Sequence, residues 1–136
     1  MEESLFTKII RGEIPSNKIY ENDHVYAFLD INPVNKGHTL VVPKVPCVGL
    51  LDCDPEVLAE LMKAVQIIAR ALKEATHADG INLMQNEGAA AGQKVFHLHF
   101  HVIPRFEGDG FEHWHGTPYA SEEEAEQVAE AIKQKL

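Results

Sequence analysis

His97-Leu98-His99-Phe100-His101-Val102-Ile103-Pro104 opens with three histidines alternating with three apolar residues over six positions. Strict alternation is the signature of a β-strand, because successive side chains point to opposite faces. The pattern predicts a strand with His97, His99 and His101 on one face and Leu98, Phe100 and Val102 on the other. Pro104 has no N–H to give a ladder and is expected to mark the strand's end. Three imidazoles on one face serve packing poorly, since a buried imidazole needs partners for both ring nitrogens. One such histidine would read as a satisfied core residue; three beside a glycine-bearing loop point to chemistry.

Two chemistries compete. In an extended strand rising ~3.3 Å per residue, His97 and His101 start roughly 13 Å apart. Zinc–nitrogen bonds are about 2.0–2.1 Å, so one ion does not take all three histidines without distortion. A two-histidine site would have to draw on His38, Asp30 or Glu87. The alternative is a row of imidazoles with divided roles: a neutral imidazole is a nucleophile near neutral pH, and its second nitrogen is oriented by a hydrogen bond. The small-residue loop Glu87-Gly88-Ala89-Ala90-Ala91-Gly92-Gln93 runs straight into the histidines. Its backbone N–H groups and one amide suit a phosphate where cations are scarce.

Working outward, His38-Thr39-Leu40-Val41-Val42-Pro43 reads as a second strand, and Lys18–Glu21 and His24–Asp30 as a hairpin around Asn22-Asp23. Asp54-Pro55-Glu56 is a helix start, with a capping Asp, Pro at the first position and an acid at the positive terminus. Apolar residues then recur at three and four spacing and predict one helix over 55–76, with Met62 in its core stripe. Asp79-Gly80 turns the chain into a strand over 81–86. Leu5–Arg11 reads as a short helix capped by Ser4, and Ser121-Glu122-Glu123-Glu124 as the capping box of a last helix to about Lys135. Short connections among the first and the last strands imply antiparallel pairing. The expectation is a single α+β domain with about five strands and the long helix on one face.

With 136 residues, one domain is the natural reading, and a net charge of −9 argues against a nucleic-acid groove. Cys47 and Cys53 form no disulfide framework and read as reduced thiols. The acidic start Met1-Glu2-Glu3-Ser4 lacks the features of a secretory leader, and no apolar run reaches membrane-spanning length. Together these predict a cytoplasmic protein with no membrane partner.

Gly92-Gln93-Lys94-Val95-Phe96-His97-Leu98-His99-Phe100-His101-Val102-Ile103 resembles the signature of the histidine triad (HIT) superfamily, with its usual Gly-Gln lead-in. Phe6–Pro15, Ala27–Pro33, Gly37–Lys44 and Asn86-Glu87-Gly88 are similar to segments of its HINT and bacterial HIT-protein branch. The resemblance implies a HIT-like fold, and a homodimer whose sheets join into one. It implies nucleotidyl transfer or hydrolysis at the α-phosphate of a purine nucleotide. Nucleoside phosphoramidate hydrolysis is favoured over dinucleoside polyphosphate hydrolysis, or over nucleotide binding with weak turnover. It further implies that His99 is the nucleophile and that the His97 carbonyl orients it. His101 and Gln93 would contact phosphate oxygens, and His38 would sit against His97. Asp30 matches the ribose-binding carboxylate, although it would equally cap a turn through Asn32-Pro33. Leu5, Phe6, Ile9, Phe28 and Ile31 match the walls around the base, with Phe28 and Ile31 equally readable as core. Asn86 and Gly92 lie on the phosphate side.

The sequence also departs from that pattern. Many relatives place Cys-x-x-Cys in the first helix and a histidine after the Pro-Lys pair, and hold a structural zinc with the first triad histidine. Ser4, Thr7 and Pro46 occupy those positions here, so no structural zinc and no other cofactor is expected. Lys94 replaces the usual hydroxyl residue before the triad and bears on the leaving group. Beyond Arg105 the chain is closer to the bacterial HIT proteins, with His113 and His115 read as surface residues around Trp114.

Overall fold

Thr39, Leu40, Val41, Val42 and Pro43 are buried along their whole length, as a strand covered on both faces must be. This strand, β3 (Thr39–Pro43), is the middle of a five-stranded sheet. The computed structural model describes residues 3–136, so Met1 and Glu2 of the acidic start lie outside it. In chain order the elements are α1 (Leu5–Ile10), β1 (Lys18–Glu21), β2 (Val25–Leu29), β3, α2 (Pro55–Thr76), β4 (Gly80–Met84), β5 (Phe100–Arg105) and α3 (Glu122–Lys133). A short 3₁₀ turn, Ala89–Ala91, lies between β4 and β5. The sheet order is β1-β2-β3-β5-β4, with every neighbouring pair antiparallel.

The long helix starts and stops where the sequence says it should. The Asp54 side chain accepts from the Glu56 N–H, Pro55 follows the cap, and His77 ends the helix in the left-handed region at φ 57°. Leu61, Ala64, Val65, Ile68 and Leu72 pack on one sheet face, against Val25, Val41, Leu98, Phe100 and Val102. Free Cys47 and Cys53 lie in the same core. Met62 does not belong to that stripe and is 45% exposed. One residue past Leu61 is about 100° around the helix, which carries Met62 to the flank. The opposite sheet face packs Phe6 and Ile9 of α1 against Tyr26, Phe28, Leu40 and Val42.

The predicted histidine strand is shorter at its start than the alternation suggested. Ladder pairing begins at Phe100; the chain bends over residues 95–97, and Leu98 and His99 are irregular before it. There the Leu98 N–H goes to the Cys47 carbonyl and the His99 ring bonds back to the His97 carbonyl, so these polar groups are satisfied outside the sheet. Pro104 does not end the strand, which runs to Arg105. The Pro104 carbonyl accepts from Asn35 Nδ2 at 2.9 Å on the side where β3 has ended, so its missing N–H disappoints no partner. The strand expected over 81–86 is β4, which closes at Met84, opposite His101.

Gly37 sets up the entry to β3. It has φ +105°, and a Cβ there would meet Thr76 Cγ2 at 3.0 Å. We expect Gly37→Ala to cost about 1–3 kcal/mol, since it combines backbone strain with crowding; denaturant unfolding checks it. After Arg105 the chain loses contact with the core. Residues 111–120 are exposed, Trp114 is 89% exposed, and α3 has no buried residue. Among the described residues no helix is long and apolar enough to cross a membrane.

Candidate active site

Two hydrogen-bond chains fix which ring nitrogen of each triad histidine carries a proton. His97 Nε2 lies 2.9 Å from the Pro43 carbonyl. A carbonyl only accepts, so Nε2 carries the hydrogen and Nδ1 of the neutral ring is bare. Ser4 Oγ, 2.6 Å from that Nδ1, therefore donates to it. The His97 carbonyl in turn accepts from His99 Nδ1 at 2.7 Å. That bond places the His99 hydrogen on Nδ1 and leaves Nε2 as a lone pair, the form a nucleophilic imidazole needs.

The second chain begins at the Val34 N–H, which donates to His38 Nδ1 at 3.1 Å. His38 Nε2 then carries its proton and donates to His101 Nδ1 at 2.9 Å. His101 is left with an Nε2–H that has no acceptor among the described residues. His99 and His101 stand with ring centroids 4.9 Å apart. A bare nitrogen and a free N–H donor are thus held side by side. One forms a bond to an electrophilic centre; the other donates to an oxygen on it.

The partner of His38 corrects the expectation that it sits against His97. Antiparallel register decides this: Leu40 pairs with His101, so His38 lies at the His101 end of β3. His97 lies at the other end, beside Pro43. Asp30 takes the turn-capping role and also faces the triad's second chain. Its Oδ1 accepts the Asn32 N–H at 2.8 Å and caps the turn, while Oδ2 lies 3.6 Å from His38 Nε2.

Burial dominates the electrostatics. His38, His97 and His99 are pushed below the ordinary histidine value by desolvation, offset in part by Asp30 for His38, by the Pro43 carbonyl for His97, and by the His97 carbonyl and then Asp30 for His99. His101 falls to about 4, by burial first and then by the neighbouring charges of His99 and His38. The folded protein therefore holds these protons less tightly than an unfolded chain, whose histidines titrate near 6.5. As pH falls below 6.5 the unfolded chain takes up more protons, so stability is full above that value and declines below it. We expect the thermal midpoint to be level from about pH 8 to 7 and to drop between about 6.5 and 5, above the carboxylate range. A pH series of thermal melts checks this, and a flat profile would contradict a neutral triad.

The other predicted residues separate into groups. Phe6, Phe28 and Ile9 are buried in one cluster, and the Phe6 ring meets His99 edge-on at 5.0 Å, so they back the triad from beneath. Leu5 and Ile31 are exposed apolar residues, Ile31 at 87%. Asn86 is half-buried, and its amide makes no hydrogen bond among the described residues. Lys94 is exposed and makes no ion pair among the described residues. Gln93 is fully engaged: Oε1 accepts the Gly88 N–H, and Nε2 donates to the carbonyls of Val48 and Val95. In this arrangement its amide shapes the Gly88–Gly92 loop, where Gly92 adopts φ +99°.

Sequence reasoning missed two contributors. It reads Ser4 as a helix cap and as a position where relatives carry a zinc ligand, not as a hydrogen-bond donor to His97, 93 positions away. It also read Asp109 as part of a loop. Asp109 accepts from Arg105, Asn35 and the N–H groups of Phe106 and Phe111. Arg105 holds its carboxyl well below the usual range. Asn35 carries this network to the turn before His38, whose N–H donates to the Asn35 carbonyl. A charged residue beside glycine gives no sequence signal of such a hub.

Zinc does not suit the donors present. The His97 Nδ1 that a metal would need is met by Ser4 Oγ, which Thr7 Oγ1 approaches at 3.1 Å, and hydroxyls are poor zinc ligands. Asp30, His38 and His101 bring three donor atoms within 4.8 Å of one another. The His38 atom facing that cluster carries a proton, and moving it to Nδ1 would oppose the Val34 N–H.

Residues 11–108 match the HIT domain model. A solved structure of a HIT-family protein from Bacillus subtilis superposes with TM-score 0.91 at 42% identity, covering 99% of this chain and 98% of that one. A histidine triad nucleotide-binding protein from Candida albicans superposes with TM-score 0.87 at 31% identity, covering 98% and 96%. The adenylylsulfatase HINT3 of Arabidopsis thaliana is 47% identical over 105 residues, which is 77% of this chain and 53% of that protein. By domain match, fold and the histidine arrangement just described, the chain belongs to the HIT family of nucleotide-binding hydrolases and transferases.

Proposed function

We propose that the protein hydrolyses nucleoside 5′-monophosphates joined to an amine, acting at the α-phosphate of a purine nucleotide through a covalent nucleotidyl-histidine. The observation that carries this reading is the bare Nε2 of His99, held by its Nδ1–H bond to the His97 carbonyl at 2.7 Å. His99 Nε2 forms a bond to phosphorus as the bond to the leaving amine breaks, and the amine departs with a proton from water. The ring becomes cationic, and the His97 carbonyl at Nδ1 stabilises that charge. The His101 Nε2–H donates to a phosphoryl oxygen. Water then breaks the P–Nε2 bond, releases the monophosphate and restores neutral His99.

Asp30 Oδ2 is the acceptor for ribose hydroxyls, and exposed Leu5 and Ile31 offer the base an apolar rim. Asn86 has its amide free for the phosphate side, and Lys94 is free to reach a leaving group. Turnover of an adenosine phosphoramidate, a diadenosine polyphosphate and adenylyl sulfate under identical conditions tests the choice. We expect the phosphoramidate to give the highest kcat/KM. A preference for the polyphosphate would move the reading to a dinucleoside polyphosphate hydrolase. Tight nucleotide binding with negligible turnover of all three would make the protein a regulatory binder.

The same reading includes a homodimer and no structural zinc. β4 is an edge strand, with Leu83 45% exposed, and an unpaired edge invites pairing with a second copy. Trp114, Val128 and Ile132 are exposed near the chain's end and would be covered by such a partner. Light scattering should give twice the 15.2 kDa chain mass. Metal analysis of the purified protein should find well under one zinc per chain, and one tight zinc would overturn the reading of Ser4, Thr7 and Pro46.

A further inference from the structure

Ser4 belongs by its position to the first helix and by its hydrogen bonds to the triad. Its Oγ accepts the Thr7 N–H at 3.0 Å, which is ordinary N-capping. The same oxygen lies 2.6 Å from His97 Nδ1, and His97 is 1% exposed. With Nε2 committed to the Pro43 carbonyl, the one hydrogen of Ser4 Oγ goes to Nδ1, and Thr7 Oγ1 at 3.1 Å is left to donate to Ser4. We propose that Ser4 is a positioning residue: its hydroxyl proton holds His97 as the neutral Nε2–H tautomer and thereby fixes the carbonyl that orients His99. The capping hydrogen bond and the ring hydrogen bond use different faces of one oxygen, so the first helix and the reacting nitrogen are registered against each other.

The physical case rests on what happens without the proton. A buried Nδ1 with no donor is an unsatisfied acceptor, and the His97 ring is then held at one nitrogen only. Its backbone carbonyl is the one acceptor for His99 Nδ1 among the described residues, so looseness at His97 passes directly to the nucleophile. If an acceptor-only group stood at position 4, Nδ1 would need a proton to meet it. His97 would then carry positive charge beside a ring that must itself become positive during attack.

This inference rests on the proposed nucleotidyl-histidine chemistry, and its test separates the two. Asp caps a helix as well as Ser but has no proton to donate when ionised. Ser4→Asp therefore keeps the structural role and removes the positioning role, while Ser4→Thr keeps both. We expect Ser4→Asp to retain its thermal midpoint, to lose about ten-fold or more in kcat on an adenosine phosphoramidate, and to hold KM nearly constant. Ser4→Thr should stay within about three-fold of the parent kcat, because its hydroxyl keeps the donor.

The second readout needs no turnover. Imidazole ¹⁵N spectra of the parent should show His97 with bare Nδ1 and protonated Nε2, and Ser4→Asp should move the Nδ1 resonance to the protonated position. Parent spectra with Nδ1 already protonated would overturn the proposal. So would parent-like kcat in Ser4→Asp, which would leave capping as the only role of Ser4. If the parent forms no nucleotidyl adduct, the functional reading fails, yet the ¹⁵N spectra still decide the hydrogen bond.

Discussion

His99→Ala should lower kcat for an adenosine phosphoramidate by at least about 10³-fold, the scale at which loss of a covalent nucleophile is felt, while the protein stays folded. His99 is 8% exposed and its ring lies against Phe6, so truncation leaves a small cavity rather than an exposed core. Nucleotide binding should survive, because the proposed ribose and phosphate contacts come from Asp30, Asn86 and His101. The two effects separate in a titration of a nucleoside monophosphate, where Kd should change by only a few-fold, by about 1 kcal/mol or less. Parent-like turnover in His99→Ala would remove the nucleophile from the account.

The second large effect is expected at Leu98→Ala. Leu98 is completely buried between two triad histidines and packs into the core beneath α2. Truncating such a leucine costs about 2–5 kcal/mol through lost burial and the cavity left behind. Its N–H donates to the Cys47 carbonyl at 2.8 Å, a bond that the substitution leaves in place. The backbone bend should thus survive in the variant at moderate temperature. We expect urea unfolding to show the stability loss in the midpoint with an unchanged slope. A cost below about 1 kcal/mol would mean that the triad segment is not anchored from behind by this side chain.

The long helix was legible to the residue because its signals are local: a capping Asp, Pro55 and a stripe at helical spacing. The strands and the antiparallel pairing among the first three and between the last two also followed from short connections, whereas the β3–β5 pairing that joins them spans α2 and β4 and had no local signal. What failed depended on partners far away in sequence. Alternation at His97–His99 suggested ladder pairing, yet the Leu98 N–H goes to the Cys47 carbonyl on another segment and pairing begins only at Phe100. His38 was matched to the wrong histidine because only the β2–β3–β5 register says which end of β3 meets which end of the triad. Met62 fell off its stripe by one residue's rotation. The roles of Gln93, Asp109 and Ser4 were hidden because each side chain bonds to groups on other segments. The chemistry-bearing residues stood in the pattern, and the hydrogen bonds that assign their protons stood only in three dimensions.

The most direct test of the account is to trap the intermediate. An adenosine phosphoramidate mixed with excess protein should be quenched within the first turnover under mildly alkaline denaturing conditions, which preserve phosphorus–nitrogen bonds. Intact mass followed by peptide mapping should then find one adenylyl group per chain, on His99, and none in His99→Ala. Hydrolysis that proceeds in the first turnover with no adduct, or an adduct on another residue, would contradict covalent catalysis by the middle histidine.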